Sequence, residues 1–206
     1  MIANKIRYPK EPVVIVDIEG NGQKIPDIIE ISIRVFDPNS IEQPKAENWL
    51  IKPPKKILPI VTRIHGIRNS DLKKCPTWEA VSDDIKKRLK NVWFVAHNAN
   101  IDYKVIKRHI PDWDPVGVID TLKLAKHILP YEKSYSLENL VKSLEILPSE
   151  NIIFHRADDD TLATSLLFQH LLSKMRDKNW EHLCKIAMLN PIKIDKSYSP
   201  TQGELW

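Results

Sequence analysis

Two acids stand two residues apart in the stretch VVIVDIEGNG, residues 13–22: Asp17 and Glu19, followed at once by Gly20 and Gly22. Residues 13–18 are bulky and β-branched, which favours a strand, and side chains at i and i+2 of a strand leave the same face. Both carboxylates therefore converge near one strand end, where neither is cheaply buried as a lone anion. A divalent cation would neutralise both, and oxygen ligands suit magnesium or manganese better than zinc. The plainer alternative is a strand end entering solvent. The glycines leave room for a backbone or a ligand to come close.

Three further residues bear on that chemistry. Asp102 lies in HNANIDYKVI, where a turn and a helix after a strand would aim its carboxylate back at the same sheet edge, although the first turn of any helix also favours an acid. Asp160 closes HRADDD, and helix capping accounts for at least one of Asp158, Asp159 and Asp160. His155 opens that stretch. A free imidazole titrates at about 6.5 and can take a proton from water near neutrality, so beside an acidic metal cluster it becomes a candidate general base.

The elements that must position these groups follow from periodicity. Residues 27–37 alternate through Ile29, Ile31, Ile33 and Val35, a second strand forming an antiparallel hairpin with the first. NWLIKPP reads as a short third strand stopped by Pro53 and Pro54, with Pro59 and Pro76 marking further boundaries. Trp78, Val81, Ile85 and Leu89 fall at helical spacings, residues 92–97 read as a buried strand, 101–109 as a helix and VGVID as another strand. Asp120 suffices as the cap of a helix over 121–128. Ser136 opens a weakly capped helix in SLENLVKSLEI. The longest helical pattern runs from Ala157 to about Met175, with Leu162, Leu166, Leu167, His170 and Leu171 able to cover a core. WEHLCKIAML adds a terminal helix, and the tail IKIDKSYSPTQGELW has little periodicity. This predicts a mixed sheet flanked by helices in one compact unit.

The ordered set resembles the DEDDh family of 3'-5' exonucleases, which includes polymerase proofreading subunits, RNase T and oligoribonuclease. VDIEG resembles its first motif, HNANID its second, and HRADDD its last, where a five-residue separation selects His155 and Asp160. VTRIHGI, CPTWEAV, VIDTLKLAKHILP and YSLENLVKSLEI resemble the same family in the same order, so the likeness runs from about Val13 to Leu172. It implies a ribonuclease H-like α/β fold with a mixed five-stranded sheet flanked by helices. The exonuclease domain would occupy residues 1–175, with 176–206 a C-terminal helix and irregular tail and not an independent domain.

The resemblance also implies roles. Asp17, Glu19 and Asp160 would hold the metal nearest the attacking water, Asp17 would bridge to a second Mg2+ or Mn2+ supported by Asp102, and His155 would deprotonate the water. In-line attack would release nucleoside 5'-monophosphates. Gly20, Ile64, His65, His97 and Asn98 would border the substrate, a nucleic acid with a free 3' end, DNA or RNA. Gly20 stands where many relatives have threonine, and Ile101 where phenylalanine is common. A homodimer contact or a polymerase or repair partner is compatible with the family. The competing account is a catalytically inactive nucleic-acid-binding module of the same fold, against which stands the retention of all four acids plus His155.

Composition sets outer bounds. The chain has 206 residues, 42% hydrophobic, enough for one sizeable core. With 28% charged residues it has no apolar run of membrane-spanning length, and its first ten residues do not read as a secretory signal, so the expectation is a cytoplasmic protein. Cys75 and Cys184 are too few for a disulfide scaffold and lack the partners of a zinc site. A net charge of +4 is modest evidence for an anionic partner.

Overall fold

The computed structural model describes residues 8–40, 42–146 and 152–190; the tail IKIDKSYSPTQGELW lies outside them. β1 (Val13–Gly20) pairs antiparallel with β2 (Ile28–Val35), and β2 with β3 (Glu47–Leu50). β4 (Trp93–Ala96) runs parallel to β1 on its other side, and β5 (Gly117–Asp120) parallel to β4. The order across the sheet is β3-β2-β1-β4-β5. Parallel neighbours need crossovers, which α1 (Pro59–His65) and α2 (Trp78–Arg88) supply before β4 and α3 (Asn100–His109) before β5. α4 (Thr121–Ile128), α5 (Leu137–Ser143), α6 (Ala157–Lys174) and α7 (Trp180–Ala187) follow. This is the mixed five-stranded α/β sheet, flanked by helices, of a ribonuclease H-like fold.

Strand alternation gives the sheet two different faces. Val14, Val16, Phe94 and Val118 pack with Ile85 of α2 and Ile106 of α3. Val13, Ile15, Val95 and Ile119 pack with Leu167 and Phe168 of α6 and Trp180 of α7. Asp17 and Glu19 continue this second face. In register beside Ile15, Asp17 and Glu19 stand Arg34, Ser32 and Glu30 of β2, a polar stripe with only 5%, 0% and 0% exposure.

That stripe corrects the expected face of α6. Leu167 and Leu171 are buried, as expected, but Leu162, Leu166 and His170 are only half covered, and Thr161, Thr164, Ser165 and Phe168 are buried in addition. Small hydroxyl residues let the helix come close to β2: the Ser32 and Thr161 hydroxyls lie 3.2 Å apart, and Arg34 Nε–H donates to Thr161 Oγ1 at 3.2 Å. A leucine at position 161 would leave the buried Arg34 Nε–H without its acceptor, a costly loss.

α1 was not expected, because Pro59 reads as a boundary. It is instead the first helical residue, where its missing N–H is no loss. Val61 of α1 presses on the β1–β2 connection, where Gly22 has φ 75° and a Cβ would meet Val61 methyls at 2.8 and 2.9 Å. Buried Asn21 ties the same turn together, donating to Asp27 Oδ2 at 2.7 Å and accepting from the Asp27 N–H at 3.0 Å.

The chain after α6 packs on the domain. Trp180 meets Trp93 edge-on with ring centres 5.2 Å apart, and beyond α7 the Leu189 N–H donates to the Val118 carbonyl at 2.9 Å. Cys75 and Cys184 are free thiols. Among the described residues no helix is long and apolar enough to cross a membrane.

Candidate active site

The predicted acids come together. Asp17 and Glu19 from β1, Asp102 from the first turn of α3 and Asp160 from the first turn of α6 line one cavity of about 500 Å³, with His155 at its edge. Each arrives by a local device. A bulge between Glu19 and Gly20 ends regular pairing of β1 with β2. Asn98 adopts φ 63°, a conformation asparagine tolerates better than most residues, and its N–H donates to Asp120 Oδ1 at 3.0 Å. The same oxygen accepts the Leu122 N–H at 2.9 Å, so Asp120 caps α4, as expected, and also pins the turn that launches Asp102.

The three consecutive acids of HRADDD separate cleanly. Asp158 pairs with Arg34 at 2.7 Å, Asp159 accepts the Ile153 N–H at 3.0 Å, and Asp160 accepts the His155 N–H at 2.8 Å while facing the cavity. His155 itself is exposed at φ 63°. One ligand atom each from Glu19, His155 and Asp160 lies within 4.8 Å of the others. Asp17 and Asp102 flank that group in the same cavity.

The electrostatics are those of a site built for positive charge. Burial, then the carboxylates of Asp160, Asp102 and Glu19, push Asp17 well above its ordinary range. Burial and the charges of Asp160, Glu30 and Asp102 do the same to Glu19. Burial lifts Asp102 to about 8 against the pull of backbone N–H groups, with Asp120 and Asp160 adding to the rise. Asp160 rises to about 7, again through burial first, with the His155 N–H opposing. Four crowded acids that resist ionisation together fit a divalent cation, which would replace their protons.

The other expected contacts divide. His97 and Asn98 line the cavity; Gly20, Ile64 and His65 do not. His97 bridges two elements: Nε2–H donates to the Tyr135 carbonyl at 2.8 Å, which leaves Nδ1 to accept from the Thr121 hydroxyl at 2.9 Å. Burial lowers its pKa, in keeping with a neutral ring that holds the loop before α5. His65 is buried, 3% exposed, its Nδ1 accepting the Ile67 N–H at 3.0 Å, and burial drops its pKa to about 4. At Gly20 a Cβ would sit 3.3 Å from Pro26 Cβ, so the threonine common in relatives would crowd the loop folded over this position. Ile101 lines the cavity beside Asp102.

Sequence reasoning missed the far wall of the cavity, which Lys126, Tyr135, Leu137 and Phe154 provide. Lys126 Nζ lies 5.9 Å from the centre of the Tyr135 ring. It also missed Glu30 and Arg156. On a strand that alternates through isoleucines, Glu30 reads as a solvent-facing residue, and only the covering helix reverses that.

A ribonuclease H-like sheet with four carboxylates gathered at one end defines a nuclease class. The sequence model of the exonuclease family, RNase T type, matches residues 14–168, and the chain belongs to this DEDDh, RNase T-like family of 3'-5' exonucleases. It is 33% identical over 159 residues to the 3'-5' exonuclease DinG of Staphylococcus haemolyticus, covering 74% of this chain and 17% of that protein. With the protein of the same name from Bacillus subtilis it shares 29% identity over 191 residues, 88% of this chain and 20% of the relative. The chain thus spans about a fifth or less of these relatives. Among solved structures, exonuclease X in complex with 5' overhanging duplex DNA superposes with a TM-score of 0.63 at 26% identity, over 78% of this chain and 90% of that one. The nuclease domain of the DEDDh member 3'hExo bound to rAMP shares the fold, with a TM-score of 0.67 at 12% identity over 88% and 98%.

Proposed function

We propose that this chain is a metal-dependent 3'-5' exonuclease that hydrolyses the terminal phosphodiester of a DNA or RNA strand, preferably a single-stranded 3' end, and releases nucleoside 5'-monophosphates. The convergence of Asp17, Glu19, Asp102 and Asp160 on one cavity beside His155 carries this reading. The DinG relatives, themselves 3'-5' exonucleases, and exonuclease X in its complex with duplex DNA support it.

In this proposal Asp17, Glu19 and Asp160 hold one Mg2+ or Mn2+, and Asp17 with Asp102 a second. Such ions, when bound, offset the charge on the phosphate and on its attacking and leaving oxygens. The chain's own groups do the rest. The His155 ring, exposed at the cavity edge, takes a proton from the attacking water, and solvent access lets it release that proton afterwards. His97 keeps the loop before α5 in place. Asn98, exposed on its left-handed turn, borders the path of the strand, while His65, set against the Gly20 backbone, supports the end of β1.

Strands of DNA and RNA labelled at the 5' end and incubated with Mg2+ or Mn2+ test this directly. The expected product is a ladder shortened from the 3' end, and a blocked 3' end stops it. Tight strand binding with no shortening in either metal would indicate an inactive binding module. Cleavage indifferent to the block would indicate an endonuclease.

A further inference from the structure

Glu30 sits beside Glu19 in the β1–β2 register and is fully buried, yet it is occupied elsewhere. Its Oε1 accepts Arg156 Nη2–H at 3.0 Å and Asn48 Nδ2–H at 3.1 Å. Its Oε2 accepts Arg156 Nε–H at 3.2 Å and the Ala157 N–H at 3.2 Å. A carboxylate with four donors is saturated and has little left to offer a cation. Three of the four bonds come from the two residues that follow His155.

His155 needs such support. Its φ of 63° is uncommon outside glycine, although histidine adopts it more readily than most residues, and its neighbours hold it there. On one side the turn is closed by its own N–H on Asp160, at 2.8 Å. On the other it is closed by the forked Arg156–Glu30 pair, whose planar two-point geometry fixes direction as well as distance.

We propose that Glu30 and Arg156 are a positioning pair that aims the His155 ring at the acidic cavity. This rests on His155 being the general base. The pair touches neither substrate nor reacting atoms and acts on the imidazole through the turn between them.

The test compares Glu30→Gln, Arg156→Gln, His155→Ala and the double variant Glu30→Gln/His155→Ala in the full chain with Mn2+. Each of the first two is expected to lower kcat about 10- to 100-fold, with KM and Mn2+ affinity within about twofold of the parent. In the His155→Ala background Glu30→Gln should cost nothing further, as expected for residues acting in one unit. The Arg156 side chain is 38% exposed, so its replacement keeps the experiment open should Glu30→Gln fail to fold. Full kcat in folded Arg156→Gln, or an equal loss from Glu30→Gln with and without His155, would overturn the pair. The His155 ring resonances provide a readout that needs no substrate. They should shift or broaden in Arg156→Gln, and unchanged resonances would sink the proposal even if the parent protein proved inactive. A parent chain that cleaves no strand while those resonances do respond would instead remove the exonuclease reading and leave the pair standing.

Discussion

Asp17 and Glu19 project from a strand paired with β2 along its length, whereas His155 stands on a left-handed turn with its side chain in solvent. Both reach the same cavity. The carboxylates are held by the sheet itself, so their mutual distance is fixed at the expense of mutual repulsion. The imidazole is held only through its neighbours, which leaves its ring free to meet water. A group that binds cations benefits from rigidity and burial; one that passes protons needs an open edge.

Breaking the strand side should cost most. Asp17→Ala is expected to abolish metal-dependent hydrolysis, by roughly 10³-fold or more, since several kcal/mol of charge stabilisation are lost and each 1.4 kcal/mol is about tenfold. Calorimetric titration with Mn2+ should show weakened binding in the same variant, and unchanged hydrolysis would remove Asp17 from the site. His155→Ala should lower the rate by about 10²- to 10⁴-fold, the usual span for a general base, with Mn2+ binding retained. A parallel loss of binding would make His155 a ligand and erase the contrast between the two regions.

Proton linkage sharpens the same contrast. Asp160 and Asp102, ordinarily near 3.8, are raised to about 7 and 8 in the folded chain without metal. The folded state therefore binds more protons than the unfolded one between these limits, so stability without metal should fall as pH rises from about 4 to about 8. Cation binding must displace those protons, so affinity should climb over the upper part of that window. Melting curves with and without Mn2+ across pH 5–9 check both signs, and the metal-induced shift in melting temperature should grow with pH.

The smallest effect is expected at Asp158, which faces away from the cavity. Its carboxylate is 55% exposed and its partner Arg34 only 6%; asparagine keeps an oxygen acceptor for that guanidinium, so the cost is that of a weakened hydrogen bond, about 1 kcal/mol. Asp158→Asn should leave hydrolysis within about twofold and lower the melting temperature by no more than about 2–4 °C. A large loss of rate there would mean that the triplet does not divide its work as the hydrogen bonds indicate.

Much of this arrangement was legible in residue order. β1 and β2 announce themselves by alternation, Asp120 by its place before a helix, and the four acids by types that chemistry rarely leaves idle near apolar runs. What the chain order concealed shares one physical cause. Glu30, Ser32 and Arg34 look like the wet side of a strand until α6, more than 120 residues later, covers them. Leu167 and Leu171 of α6 do face the core, but the rest of its buried face is concealed for the same reason, because its seat is polar and prefers Thr161 to leucine. α1 has seven residues, too few to show a helical period, and begins with the residue that usually signals interruption.

The seat of α7 carries a practical consequence. Trp180 rests against Trp93 and Phe168, and Leu189 hydrogen-bonds to the outer edge of β5. Cutting the polypeptide after residue 175 would bare an indole-lined hollow and an unpaired strand margin at once, both of them sticky surfaces. A shortened version ending there should precipitate, and recombinant work on this nuclease should keep residues 176–190 attached.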